Sequence, residues 1–120
     1  MAMKESGEMY LETILVLSRR LQMVRAIDVG EEMGYSKPSV SRAMHLLKDR
    51  GYIDVAGDGA ITLTPEGLAI AENIYERHNV LSEALRRIGV DEQTAVDDAC
   101  RVEHYISEAT FQAIKNTLKK

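Results

Sequence analysis

Tyr10, Thr13, Ile14 and Leu17 recur at the i, i+3, i+4, i+7 spacing of an amphipathic helix and predict one from about Glu8 to Arg20. A second helical stretch, Ala26 to Met33, runs into Gly34, which suits the left-handed turn after a helix. Ser36 then offers an N-cap and Pro38 sits in a first turn, where a missing N–H costs nothing. Val40, Ala43, Met44 and Leu47 give this third helix its apolar face, and Gly51 ends it. Two short strand-like runs, 52–56 and 61–64, flank the turn-rich Gly57-Asp58-Gly59-Ala60 and predict a hairpin. From Pro65 a long helical pattern runs through Ala69, Ala71 and Ile74 toward His78 and on to Arg87, before Gly89. Asp91 opens another in which Ala95, Ala99, Val102 and Ile106 form an apolar row, continued by Phe111, Ile114 and Leu118.

The fold expected is therefore mainly α with a small β-hairpin wing: a winged helix-turn-helix over 1–64, then a helical region over 65–120. A chain of 120 residues, 45% hydrophobic, buries one core, and one compact unit is the default. No run approaches the roughly 18 apolar residues of a membrane span. The start, Met1 to Glu8, lacks the apolar core of a secretion signal, so a cytoplasmic protein without membrane contact is expected.

The formal net charge of -4 argues at first against nucleic acid. Its distribution reverses that argument. From Arg19 to Arg50 the cations Arg19, Arg20, Arg25, Lys37, Arg42, Lys48 and Arg50 outnumber Asp28, Glu31, Glu32 and Asp49, whereas acids dominate from Pro65 to Glu108. Two short helices joined by a glycine turn and followed by a hairpin form the arrangement that lays a helix in the major groove. Ser36, Lys37, Ser39, Ser41 and Arg42 fall on the outward face of that helix. Their hydroxyls can reach base edges or phosphate, Arg42 can pair with guanine, and Pro38 can touch a thymine methyl. The wing tip carries Asp58 and no base, so little phosphate affinity is expected from it. The competing reading is a solvated helix face on a protein-interaction domain.

A single cysteine, Cys100, forms no internal disulfide and is a buried small hydrophobe, a reactive thiol or a metal ligand. Cys100, Glu103 and His104 stand at i, i+3 and i+4, which a helix brings to one face. Sulfur beside nitrogen and oxygen donors suits a transition metal better than calcium or magnesium. The bland alternative is a buried cysteine with a solvated Glu–His pair. Met9 and Glu12 share a face of the first helix, and His78 lies amid acidic sequence; singly, each reads as filler or solvated charge. A metalloenzyme with Glu103 as general base is a rival, but nothing supplies a substrate loop or oxyanion donors, so no enzyme is expected.

Together these residues resemble the diphtheria toxin repressor family of metal-dependent regulators, both iron-dependent repressors and manganese transport regulators. The likeness covers nearly the whole chain. It is carried by the runs from Glu8 to Ile14, Ser36 to Ser41, Leu63 to Gly67, Glu76 to His78, Ile88 to Asp91 and, most strongly, Asp98 to His104. The resemblance implies one metal site from Met9, Cys100, Glu103 and His104, as in iron-type members, with Glu12 and His78 fitting a second site of the manganese type. It also implies a homodimer, built from about Pro65 onward, that binds palindromic operator DNA as a repressor once loaded with metal. The sulfur ligands favour Fe2+, with Mn2+, Co2+, Ni2+ and Zn2+ as alternatives. Val96 and Ser82 stand where iron-type members place an ancillary histidine and carboxylate, Glu83 being one position on, and the chain's length matches the shorter manganese-type architecture.

Overall fold

The computed structural model describes residues 5–119. Met1 to Lys4, part of the stretch read for a secretion signal, lie outside them. The element order is α1 (Glu5–Ser18), α2 (Ala26–Met33), α3 (Lys37–Asp49), β1 (Ile53–Val55), β2 (Ile61–Leu63), α4 (Pro65–Arg87), α5 (Glu92–Val102) and α6 (Glu108–Leu118). The expected helix-turn-helix and wing are present. The expectation of one compact unit is not met, because the chain divides into two units between Glu72 and Asn73, within α4.

In the first unit, α1 buries Tyr10, Leu11, Ile14, Leu15 and Leu17, α2 buries Val29, and α3 buries Val40, Met44 and Leu47. Tyr10, Ile14, Leu17, Val40, Met44 and Leu47 belong to the apolar rows seen in the sequence, Leu11, Leu15 and Val29 add to them, and burying them together stabilises the three helices. The turn between α2 and α3 depends on Gly34, at φ 72°, whose N–H donates to the Gly30 carbonyl at 2.8 Å. Ser36 caps α3 by accepting from the Ser39 N–H at 3.4 Å. β1 and β2 pair antiparallel with Ile53 opposite Leu63 and Val55 opposite Ile61. Ile61 also donates to the Val24 carbonyl at 2.8 Å, which joins the segment before α2 to the wing.

The second unit has its own core, with Ile74, Leu81, Ala95, Ala99 and Phe111 buried. The single helical pattern expected after Asp91 is broken in two. α5 begins at its cap Asp91, which accepts from the Thr94 N–H at 3.0 Å, and ends at Val102. The Tyr105 N–H reaches back to the Val102 carbonyl at 3.0 Å and tightens the exit into a turn. Ser107 then caps α6, accepting from the Thr110 N–H at 3.1 Å. A Ser cap followed by an acidic first-turn residue restarts a helix in a new direction even where apolar spacing continues.

The start of α4 presses on the turn between α3 and β1. The Thr64 hydroxyl donates to the Gly51 carbonyl at 2.7 Å and accepts from the Gly67 N–H at 3.1 Å. A Cβ built at Gly67 would stand 2.0 Å from the Tyr52 carbonyl oxygen, whereas one at Gly57 meets nothing within 4 Å. Only glycine allows two backbones to approach so closely. Gly67→Ala is therefore expected to cost about 2–3 kcal/mol in urea unfolding, as overpacking against backbone does, while Gly57→Ala changes stability by under about 0.5 kcal/mol.

Candidate metal centre and DNA-binding face

Four of the six predicted ligands meet in the second unit. His78 projects from α4, Cys100 from the last turn of α5, Glu103 from its C-cap and His104 from the turn beyond. The helical face expected for the last three is thus only partly helical. Glu103 keeps helical dihedrals, φ -57° and ψ -26°, so its i+3 relation to Cys100 survives the end of α5.

Burial inverts the bland reading of this triplet. Cys100 is exposed, and the side chains of Glu103 and His104 are only 2% and 1% accessible. A carboxylate so deprived of water is costly unless cations or donors meet it. Its Oε2 faces His78 Nδ1 at 3.0 Å, its Oε1 faces His104 Nε2 at 3.3 Å, and Cys100 Sγ lies 3.7 Å from His78 Nδ1. Neither imidazole is permanently charged. Hydrogen bonding to Cys100, then to Glu103, pushes His78 up to about 10 against the cost of its burial, so that it carries a proton at neutral pH.

This donor set fits a divalent transition metal. His78 stands between the Glu103 carboxylate and the Cys100 thiol, with His104 facing the other carboxylate oxygen, and the mixed softness of these donors suits a borderline cation. Met9 and Glu12 lie three residues apart on α1 in the first unit, both half-buried. Ser82 and Val96 offer no carboxylate or imidazole, and Glu83 binds Arg86 and Arg87, each at 2.9 Å.

Sequence reasoning missed Arg77. It is 9% exposed and donates to the Glu103 and Ile106 carbonyls at 3.2 and 2.8 Å. An arginine beside a histidine in a charged helix carries no local signal of burial; only the long spacing to 103–108, invisible in one sequence, reveals it.

On the first unit, Ser36, Lys37, Pro38, Ser41 and Arg42 are exposed along the start of α3 and Ser39 is half-buried. The Ser36 and Ser39 hydroxyls bond each other at 3.0 Å, so both also serve the cap. Asp58 turns its carboxylate onto the Ala60 N–H at 3.1 Å. Arg25, one of the cations of the basic segment, lies along the wing, its Nε 4.0 Å from where a Cβ on Gly59 would be. The Val24–Ile61 bridge brings it there, a pairing that the two-strand hairpin pattern does not announce.

Comparison with known proteins finds two adjoining family matches. Residues 2–61 match the family "Iron dependent repressor, N-terminal DNA binding domain", and residues 64–120 match "Iron dependent repressor, metal binding and dimerisation domain". The chain belongs to the iron-dependent repressor family. Among its relatives, the transcriptional regulator MntR of Escherichia coli O6:H1 is 32% identical over 106 residues, covering 88% of this chain and 68% of that protein. The diphtheria toxin repressor of Corynebacterium diphtheriae is 29% identical over 116 residues, 96% of this chain and 51% of that one. The structure of a manganese-dependent transcriptional repressor in complex with manganese matches with a TM-score of 0.86 at 26% identity, over 94% of this chain and 52% of that one. The metal-dependent regulator MtsR matches with a TM-score of 0.87 at 24% identity, over 94% and 53%, a likeness of fold alone. The chain thus spans about half the length of these solved structures. Both iron and manganese stand in the names of these matches.

The proton on His78 sets a pH dependence with opposite signs for stability and for metal binding. Because its pKa is raised above 6.5 to about 10, the protonated site stabilises the metal-free protein fully below pH 6.5 and loses that contribution progressively up to pH 10. A metal held by His78 would have to displace the same proton, so apparent affinity is expected to rise with pH across this window, by up to about tenfold per unit. Calorimetric titration with Mn2+ in buffers of differing ionisation heat counts the protons released; a count near zero at pH 7 would refute the assignment of His78 as a protonated ligand.

Proposed function

We propose that this chain is a metal-dependent transcriptional repressor that binds palindromic operator DNA as a homodimer once loaded with a divalent transition metal, Fe2+ before Mn2+, and so controls metal uptake genes. The observation that carries this reading is the buried Glu103 carboxylate, faced by His78 and His104 with Cys100 alongside, in a chain whose other unit is a winged helix-turn-helix. Such a protein acts by binding, not turnover, and works in the cytoplasm. No helix among the described residues is long and apolar enough to cross a membrane.

Met9, Glu12, His78, Cys100, Glu103 and His104 are the proposed ligands. A bound cation would supply positive charge to the buried Glu103 carboxylate and the donors around it. Met9 and Glu12 contribute from the DNA-binding region, residues 1–64, and the other four from the metal-binding and dimerisation region, 65–120. Engaging both sets therefore ties the two regions together and selects one arrangement of the recognition helices. Two such helices must lie about one DNA turn apart to read a palindrome, so the selected arrangement decides binding. The thioether of Met9 and the thiol of Cys100 shift preference toward Fe2+, Co2+, Ni2+ or Zn2+ and away from Mn2+.

For the dimer, the second unit offers an apolar hollow of about 460 Å³ lined by Leu81, Leu85, Ile88, Val102, Ala113 and Ile114. Ile88 is 78% exposed there, a large apolar side chain that a second copy would cover. On DNA, Ser36, Lys37, Pro38, Ser39, Ser41 and Arg42 form the reading face, with Arg42 the residue suited to a paired contact with guanine.

Anaerobic titration with Fe2+ and Mn2+ in parallel, followed by operator binding at fixed salt, tests this reading in wild type and Cys100→Ala. Tight Fe2+ binding that switches on DNA binding, with both effects lost in the variant, is the expected result. DNA binding that survives chelation would mean a metal-independent regulator, and Mn2+ acting as well as Fe2+ with neither effect changed in Cys100→Ala would remove Cys100 from the site. Arg42→Ala is expected to weaken specific binding by about 1–3 kcal/mol with metal affinity unchanged, as gel-shift and calorimetric titrations would show.

A further inference from the structure

Arg77 and His78 are neighbours on α4 and hold opposite ends of one residue. His78 Nδ1 faces the Glu103 carboxylate at 3.0 Å, while Arg77 Nη1 donates to the Glu103 main-chain carbonyl at 3.2 Å and to the Ile106 carbonyl at 2.8 Å. Arg77 Nη2 reaches Glu108 Oε1 at 3.0 Å, and the guanidinium carbon lies 5.3 Å from the centre of the Phe111 ring, itself fully buried. One planar group thus spans the C-cap of α5, the turn after it and the first residue of α6.

The end of a helix leaves carbonyls without intrahelical partners, and a guanidinium with five N–H donors in fixed directions can satisfy several at once. Lysine, a point charge on a flexible stem, cannot hold the same fork. Stability alone is a poor account of this arrangement. Arg77 Nε is buried without a hydrogen-bond partner among the described residues, and well-packed apolar residues often stabilise as much as a buried ion pair or more. What the geometry specifies is position: the segment that Arg77 pins begins at Glu103 and includes His104, both proposed ligands.

We propose that Arg77 is a positioning residue for the metal centre, holding the 103–106 turn so that the Glu103 carboxylate and the His104 imidazole meet His78 and Cys100 in ligating geometry, with Glu108 balancing its charge. This rests on the metal-binding reading above. Ligand-orienting partners of this kind typically change affinity 10- to 100-fold when removed. Through Glu108, the arrangement also keeps the positive charge of Arg77 compensated beside a site that must accept a second cation.

The test uses the full chain, with Co2+ as a spectroscopic probe and Mn2+ as a second metal. Arg77→Lys is expected to lower affinity for both about tenfold or more, to shift the visible Co2+ absorption, and to speed amide exchange of residues 103–106 in the metal-free protein, with the far-UV spectrum retained. A folded Arg77→Lys with wild-type affinity and an unchanged Co2+ spectrum overturns the proposal, even if its thermal midpoint falls, because a merely structural role moves only the latter. Should Arg77→Lys fail to fold, Glu108→Gln keeps a neutral partner for the guanidinium; it is expected to lower affinity a few-fold with a shifted Co2+ spectrum, and wild-type behaviour there overturns the proposal equally. If the wild type itself takes up neither metal, the metal-binding reading fails and the proposal with it. That outcome is distinct from a wild type that binds while the variants bind as well.

Discussion

A carboxylate removed from water has to be met by positive charge, and the arrangement of the second unit follows from meeting that need at Glu103. The residue is 1% exposed, and effective desolvation penalties for such groups reach several kcal/mol. α4 brings His78 to one oxygen, the turn after α5 brings His104 to the other, and Arg77 takes the main-chain carbonyl of the same residue. Nothing permanently charged touches the carboxylate in these contacts, so its charge is balanced by whatever cation occupies the imidazoles. In the metal-free protein His78 carries that charge as a proton. A site poised between a proton and a metal responds to metal concentration because the two compete for the same electrons, and the response comes from burial as much as from ligand identity.

Much of this was legible in the sequence because amphipathic spacing is a local signal. The rows Tyr10, Ile14, Leu17 and Val40, Met44, Leu47 reappear as buried faces of α1 and α3, and the Gly34 turn and the hairpin stand where turn chemistry put them. The break between α5 and α6 was not legible, since Val102 and Ile106 continue the helical spacing across it and mask the cap at Ser107. Ligand types were visible at Cys100, Glu103 and His104. Their burial was not: which of a thiol, a carboxylate and an imidazole faces water depends on contacts 25 residues distant, as the His78–Glu103 pair shows. Arg77 went unnoticed for the same reason, its partners lying 26 to 31 residues on. The wing likewise gains Arg25 through a bridge that hairpin patterning does not encode.

The total charge of -4 is a poor guide to what a polyanion meets, because the structure shows where the carboxylates are engaged. Glu83 holds Arg86 and Arg87, Glu108 holds Arg77, Glu76 holds Lys115, and on the first unit Glu32 holds Arg20. Hydrogen bonds from Gln112 and Arg77 hold the Glu108 carboxyl below its usual range, and those from Arg86 and Arg87 do the same for Glu83. A carboxylate with a cation at hydrogen-bond distance forms a dipole, whose field fades faster than that of a bare charge, and salt screens what remains beyond roughly 8–10 Å. Asp58 spends its carboxylate on a backbone N–H at the wing tip. Lys37, Arg42 and Lys48 stand exposed on α3. A phosphate approaching that helix therefore meets the field of the local face, not the sum over the chain, and a protein acidic in total keeps a surface suited to DNA.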